Sequence, residues 1–145
     1  MDIPDGIKNI KKYAFNNCRT QMIYIPSSVS QIEEDAFGRY YLDGNKEIKN
    51  ITVSKNNRVY AKDRQCIYNK KDKTLVAAII DSNGELKVSE KIKNLTDIYS
   101  LINYNPYNYN KVVFPKNLKC VMVPAFRRIG DAKKVYYSGN KWRVY

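Results

Sequence analysis

Ile25-Pro26-Ser27-Ser28-Val29-Ser30-Gln31-Ile32-Glu33-Glu34-Asp35-Ala36-Phe37 decides the reading of this chain, because its pattern occurs three times. Shifted back by 22 residues, Ile25-Pro26, Val29, Ile32 and Ala36-Phe37 fall on Ile3-Pro4, Ile7, Ile10 and Ala14-Phe15. The same spacing returns at Phe114-Pro115, Leu118, Val121 and Ala125-Phe126. A period of this length marks a repeat architecture, in which one unit cannot bury its apolar side alone and stacked units can.

Moving outward, an apolar-x-apolar triplet precedes each strand exit: Ile23-Tyr24-Ile25, Ile51-Thr52-Val53, Leu86-Lys87-Val88, Val112-Val113-Phe114 and Val135-Tyr136-Tyr137. Pro26, Ser54, Ser89, Pro115 and Ser138 follow them. Alternation along such a triplet turns its outer two side chains inward and the middle one to solvent. Proline suits the exit because it lacks an N–H and fixes φ. Ala-Phe, small then large, lets a tight turn on the opposite side approach before the ring fills the interior. With Pro4 included, the exits are 22, 28, 35, 26 and 23 residues apart. This predicts one domain over 1–145, with units near 1–22, 23–50, 51–85, 86–111 and 112–134 and a partial one at 135–145. The unit beginning at Leu86 is degenerate, with Tyr99-Ser100 where Ala-Phe belongs.

The long third unit reads as carrying a β-hairpin insertion at about 60–80. Two strands, Gln65 to Tyr68 and Thr74 to Ile79, flank the polar Asn69-Lys70-Lys71-Asp72-Lys73 turn. A second turn is expected at Asp81-Ser82-Asn83-Gly84, where Asn-Gly admits positive φ. Helix is predicted only as short turns, at Glu33–Phe37 and from Asn94 to Leu101, the latter entered through Thr96-Asp97.

The I-P-x2-[IV]-x2-I-x3-A-F pattern, preceded by its short strands, resembles the BspA-type leucine-rich repeat. The resemblance covers most of the chain. It implies a β-rich solenoid, a right-handed leucine-rich-repeat coil with a short parallel strand ladder along one face. The stretch from Ile51 through Tyr60, Cys66-Ile67-Tyr68-Asn69-Lys70 and Leu75 resembles the hairpin insertion common in the family, and the ending Val135-Tyr136-Tyr137-Ser138-Gly139 with Trp142 is similarly familiar. Cys18 matches the family's cysteine three residues after Ala-Phe and reads as core, whereas Arg39-Tyr40 and Ile129 depart from that pattern. The resemblance also implies a non-enzymatic interaction or adhesion module of a bacterial surface or secreted protein. Its partner would be a protein, such as a host or matrix protein, or a glycan.

Composition narrows the chemistry. The 145 residues contain no histidine, which removes His-dependent triads, imidazole bases and zinc sites that need His. The net charge of +12 invites a nucleic-acid reading, yet the basic residues are scattered as pairs such as Lys11-Lys12 and Lys70-Lys71 without a run of five. Abundant Lys, Asn, Ile and Tyr is the bias that an AT-rich genome produces. Cys18, Cys66 and Cys120 are an odd number without C-x-x-C, so buried free thiols are expected. The only acidic cluster, Glu33-Glu34-Asp35, reads as a solvated turn. The leading reading is non-enzymatic, without cofactor or metal; the alternatives are a carbohydrate- or nucleic-acid-binding module working through a basic, tyrosine-rich surface, and, less favoured, an enzyme with an unrecognised site in the hairpin insertion. No export signal or 18-residue apolar stretch is present, so membrane insertion is not expected and a surface location rests on the resemblance. Met1 stands directly before the first copy, which reads as an artificial start or a shortened reading frame.

Two surfaces remain as interaction candidates. One is the row of outward middle residues Tyr24, Thr52, Lys87, Val113 and Tyr136, flanked by Met22, Asn50, Glu85, Lys111 and Lys134. The other is the loop holding Tyr104, Tyr107 and Tyr109 among asparagines, since such loops combine amphipathic contact area with adaptable hydrogen bonding. The first coil, with only Asp2 and Asp5 beside its strand, is expected to fray or self-associate weakly, while Lys141, Trp142 and Arg143 are expected to cover the other end.

Overall fold

The computed structural model describes residues 1–16, 18–37, 48–96, 100–103, 107–121 and 133–137. The expected strands are present in a solenoid, and among the described residues there is no helix. One ladder runs along the predicted face. It contains β2 (Met22–Ile25) paired in parallel with β4 (Asn50–Val53), and β11 (Lys111–Phe114) paired in parallel with both β8 (Glu85–Lys87) and β13 (Lys134–Tyr137). Asp2 adds a rung against Tyr24.

The template's Ile10, Ile32, Leu95 and Val121 build a second ladder. There β1 (Asn9–Ile10) pairs with β3 (Gln31–Ile32), and β9 (Asn94–Leu95) pairs with β12 (Cys120–Val121), both parallel. Opposite the first ladder, the Phe15 and Phe37 rings stack with centroids 5.5 Å apart and planes 12° apart. Backbone bonds from Tyr13 N–H to Asp35 C=O (3.1 Å) and from Phe15 N–H to Ala36 C=O (2.9 Å) hold the same 22-residue register. Tyr13 and Asp35 occupy equivalent slots and share a left-handed backbone, at φ 61° and 50°. Phe126 lies outside the described residues.

Neither ladder is continuous: β2 and β4 form one sheet and β8, β11 and β13 another, as β1 and β3 are separate from β9 and β12. The insertion breaks both. It consists of β5 (Tyr60–Asp63), β6 (Cys66–Asn69) and β7 (Leu75–Ile79) in antiparallel order, with β10 (Ser100–Ile102) added in parallel to β7. The two expected hairpin strands correspond to β6 and β7, while β5 was not anticipated. Buried side chains fall into two clusters, one centred on Ile23, Ile25 and Ile51 and the other on Leu86, Ile92, Leu95 and Phe114. The insertion contributes to both, through Ile67 on one side and Cys66 and Leu75 on the other.

Both expected helical turns are overturned. Asn94–Leu95 and Ser100–Ile102 are strands, because Leu95 takes the buried template position and its backbone pairs with Val121. That pairing outweighs the capping signal at Thr96-Asp97. At Glu33–Phe37 a single Ala36 N–H to Glu33 C=O bond forms, and the positive φ of Asp35 prevents propagation. The turn at residues 81–84 forms as expected. Gly84 has φ +70°, and the Asn108 carbonyl oxygen sits 1.6 Å from where a Cβ would be, so only glycine fits there.

Candidate functional site

The strand register brings the outward row together in two groups. Tyr24 lies opposite Thr52, and Val113 lies between Lys87 and Tyr136. The flanking residues follow, Met22 opposite Asn50 and Lys111 between Glu85 and Lys134. Tyr24, Thr52, Lys87 and Tyr136 are exposed and Val113 is half-buried. Met1 and Met22 extend an apolar patch beside Tyr24. In the second group the Lys111 ammonium lies 3.7 Å from the Glu85 carboxylate and 5.6 Å from the centre of the Tyr136 ring.

The tyrosine loop divides. Tyr107 is 89% exposed, whereas Tyr109 is 0% exposed and packs in the second core cluster. Tyr109 is therefore a core residue and is corrected out of the surface set. The Asn108 backbone passes over Gly84, and Asn110 donates to the Asn83 carbonyl at 2.8 Å, which directs the Tyr109 ring inward. Tyr104 lies outside the described residues, as do Lys141, Trp142 and Arg143.

Glu33 and Glu34 are tied to the neighbouring coil. Glu33 accepts from the Lys11 ammonium at 2.8 Å and the Lys12 N–H at 2.9 Å, and Glu34 pairs with Lys12. The Lys11 bond holds the Glu33 carboxyl below its usual range. A carboxylate kept ionised in this way is unsuited to act as a general acid. Burial pushes the Cys66 thiol up to about 11, far from a reactive thiolate. Cys18 and Cys120 are half-buried, so only Cys66 is fully buried as expected. Among the described residues no group of three metal-ligating side chains occurs, and no helix is long and apolar enough to cross a membrane.

The asparagines do more than reflect composition. Asn94, Asn110 and Asn117 each donate a side-chain N–H to a carbonyl of the preceding coil, at Asp72, Asn83 and Glu90. Asn57, fully buried, donates to Pro26 and Val29 carbonyls at 2.9 Å and accepts from Val59 and Tyr60 N–H at 2.9 and 2.7 Å.

Where the first ladder is broken, the surface opens into a cleft of about 260 Å³ lined by the start of β4, by β5 and its turn into β6, and by residues 79–82. Lys49, Lys62 and Arg64 line it together with Asn50, Ser82 and Asn103. Lys62 is half-buried and donates to Asn50 Oδ1, and burial lowers the pKa of its ammonium. Asn103 Nδ2 donates to the Ile48 carbonyl at 2.9 Å, fixing one wall. Sequence reasoning missed this site because β5 lacks apolar alternation, and the basic pair Lys62 and Arg64 gains a common surface only when β5 turns into β6.

The sequence pattern of the BspA type leucine rich repeat region matches residues 1–83, in 6 copies. No match was found among curated proteins. Among solved structures, the chain is similar to a leucine-rich repeat protein from Eubacterium ventriosum ATCC 27560. Identity is 18% and the TM-score 0.54, covering 99% of this chain and 42% of that one. It is also similar to the pneumococcal vaccine antigen PcpA, with 14% identity and a TM-score of 0.53, covering 93% of this chain and 38% of that one. The chain thus spans less than half the length of either protein, and the ladders continue beyond the matched repeats to Tyr137. With the repeat pattern matched over more than half of its length and its coils stacked in the same register, the chain belongs to the BspA-type leucine-rich repeat family.

Proposed function

We propose that the chain is a non-enzymatic protein-interaction module of a bacterial surface or secreted protein, binding through the outward face of the first ladder. The observation that carries this reading is the register that aligns Tyr24 with Thr52, and Lys87 with Val113 and Tyr136. Solenoids present such extended faces to partners, and exposed tyrosines on rigid strands supply contact area at low entropic cost. Met1, Met22 and Tyr24 add exposed apolar surface at one end of that face. Tyr107, exposed at a loop tip, belongs to the same proposal, as does weak self-association through the first coil. The fold shared with a pneumococcal vaccine antigen supports an extracellular setting. The test is a binding screen against host-matrix proteins, with Tyr24→Ala and Tyr136→Ala in parallel. Binding that survives both substitutions in a folded protein would reject the face.

A further inference from the structure

The cleft at the ladder break has features that the interaction face does not explain. Among the described lining residues three cations, Lys49, Lys62 and Arg64, stand against one carboxylate, Asp81, whose Oδ1 already accepts the Asn83 and Glu85 N–H groups at 2.9 Å. Among the described residues none of the three cations has a carboxylate partner. For Lys62 this is notable, because a half-buried ammonium without a counter-ion is unfavourable and invites one from solution.

Arg64 points the same way. The β5–β6 connection is the two-residue loop Arg64–Gln65, and Arg64 sits at its first position with φ 53°. Glycine suits that position, and a side chain there carries a backbone cost that glycine would not. The cost is borne at a residue that lines the cleft, and its guanidinium is the group best shaped for an oxyanion.

We propose that this cleft binds one residue of an acidic saccharide, a sugar bearing a carboxylate or sulfate, with Lys62 and Arg64 on the anionic group. Asn50, Ser82 and Asn103 would serve its hydroxyls. Asn50 spends its oxygen on Lys62 and keeps its N–H donors, while Asn103 spends its N–H donors on the Ile48 and Ile80 carbonyls and keeps its oxygen. Donors and acceptors beside cations match a polyhydroxylated anion. Among the described residues no aromatic ring lines the cleft, so these residues offer no stacking platform of the kind a nucleobase would use. A volume of about 260 Å³ is below that of usual whole-ligand pockets and suits a single unit of a longer chain. The inference does not depend on the protein-binding reading.

Calorimetric titration of the chain tests it with four probes: trigalacturonate, a heparin-derived tetrasaccharide, neutral maltotriose and hexaglutamate. The first two separate carboxylate from sulfate. At least one of them should bind, weakening as salt is added, with maltotriose and hexaglutamate far weaker. Lys62→Met and Arg64→Gly should each reduce affinity about tenfold. Lys71→Ala, which removes the same charge from the distant hairpin turn, should leave it unchanged. Arg64→Gly is expected to unfold at no lower denaturant than the parent, so its loss of binding cannot be a loss of fold. Tyr24→Ala and Tyr136→Ala should not affect these titrations, which separates this site from the protein-binding face. Hexaglutamate binding as tightly as the acidic sugars, an equal effect of Lys71→Ala, or no preference for acidic sugars over maltotriose would each overturn the proposal.

Discussion

The side-chain amide of Gln65 takes the place of a missing strand beside Lys87. Its Oε1 accepts the Lys87 N–H at 3.0 Å, while its Nε2 donates to the Glu85 carbonyl at 3.0 Å and the Ile79 carbonyl at 2.8 Å. The edge of β8, left open where the first ladder breaks, is thus closed by the Gln65 amide, with the Cys66 thiol reaching the Lys87 carbonyl beside it. Tyr60 does the same for the second ladder, accepting from Ile32 N–H at 3.0 Å and donating to the Ser30 carbonyl at 3.4 Å. Side chains of the insertion therefore terminate the two strand edges it interrupts, which removes unpaired backbone groups from those edges.

Gln65→Leu is expected to lower unfolding free energy by roughly 2 to 3 kcal/mol, since three backbone partners, two of them in partly buried bonds, lose bonds worth about 1 kcal/mol each. Tyr60→Phe removes one hydroxyl and should cost about 1 kcal/mol. Urea denaturation compares them. A loss from Gln65→Leu no larger than that from Tyr60→Phe would show that the amide does not close the edge.

Asn57 is a stronger case, with all four of its side-chain bonds made to backbone groups of two coils. Asn57→Leu keeps much of the volume but removes bonds to two carbonyls and two N–H groups, of which the Pro26 carbonyl keeps a partner in the Val29 N–H, so the cost should reach about 3 kcal/mol or more. The neighbouring Asn56, exposed, should tolerate Leu within about 0.5 kcal/mol. Thermal melts of both variants check the contrast.

The repeat was legible because alternation and spacing are local, and they placed Ile25, Val88 and Phe114 inside and Tyr24, Lys87 and Tyr136 outside. The ladder break was not legible. Ile51 and Leu86 obey the same pattern, and nothing in a triplet says whether its neighbour in space is the next triplet or a hairpin. Tyr109 was misread for a related reason. Its loop composition suits a surface, and only the close passage of Asn108 over Gly84 turns the ring inward. The cleft depends on Lys49, Lys62 and Arg64 from two segments, whose meeting is a tertiary event.

Cys66 makes stability fall with alkali. Its folded pKa stands near 11, raised by burial above its ordinary value of 9.0, so the unfolded chain gives up the proton first. Stability is then full below about pH 9 and declines as pH rises from about 9 to about 11, by on the order of 2 to 3 kcal/mol from this group. Cys66→Ala should flatten that part of the profile relative to the parent, even though it is less stable at neutral pH. Denaturation midpoints measured from pH 8 to 11 provide the check, and parallel profiles would reject the assignment.

Phe37 is 4% exposed and stacked on Phe15. Phe37→Ala is expected to cost about 3 to 5 kcal/mol, the usual cost of emptying a buried aromatic site. Lys71, exposed at the hairpin turn, is the proper neutral comparison. Lys70 is not, because its ammonium reaches the Asn57 carbonyl. Chemical denaturation in which Phe37→Ala and Lys71→Ala had equal effects would contradict the stacking role.

Ile7 and Val29 occupy the same template position with opposite burial: Ile7 is 42% exposed and Val29 is 1% exposed. Val29 is enclosed between coils and faces the Asn57 amide that bonds its carbonyl, whereas Ile7 is held by Ser28 through a single side-chain bond to its carbonyl at 2.8 Å. Val29→Ser should therefore cost about 2 to 4 kcal/mol, through lost burial and an added hydroxyl in the core. Ile7→Ser should change stability by less than about 0.5 kcal/mol. For the same reason the amides of β1 should exchange faster than those of β11, since local opening follows the density of buried contacts. If the exposed Ile7 of the first coil forms the self-association surface, sedimentation across a concentration series will show a dimer that Ile7→Asp abolishes without unfolding the chain. A strict monomer at every concentration, with β1 as protected as β11, would show that the first coil is self-sufficient and that its exposed isoleucine serves no contact.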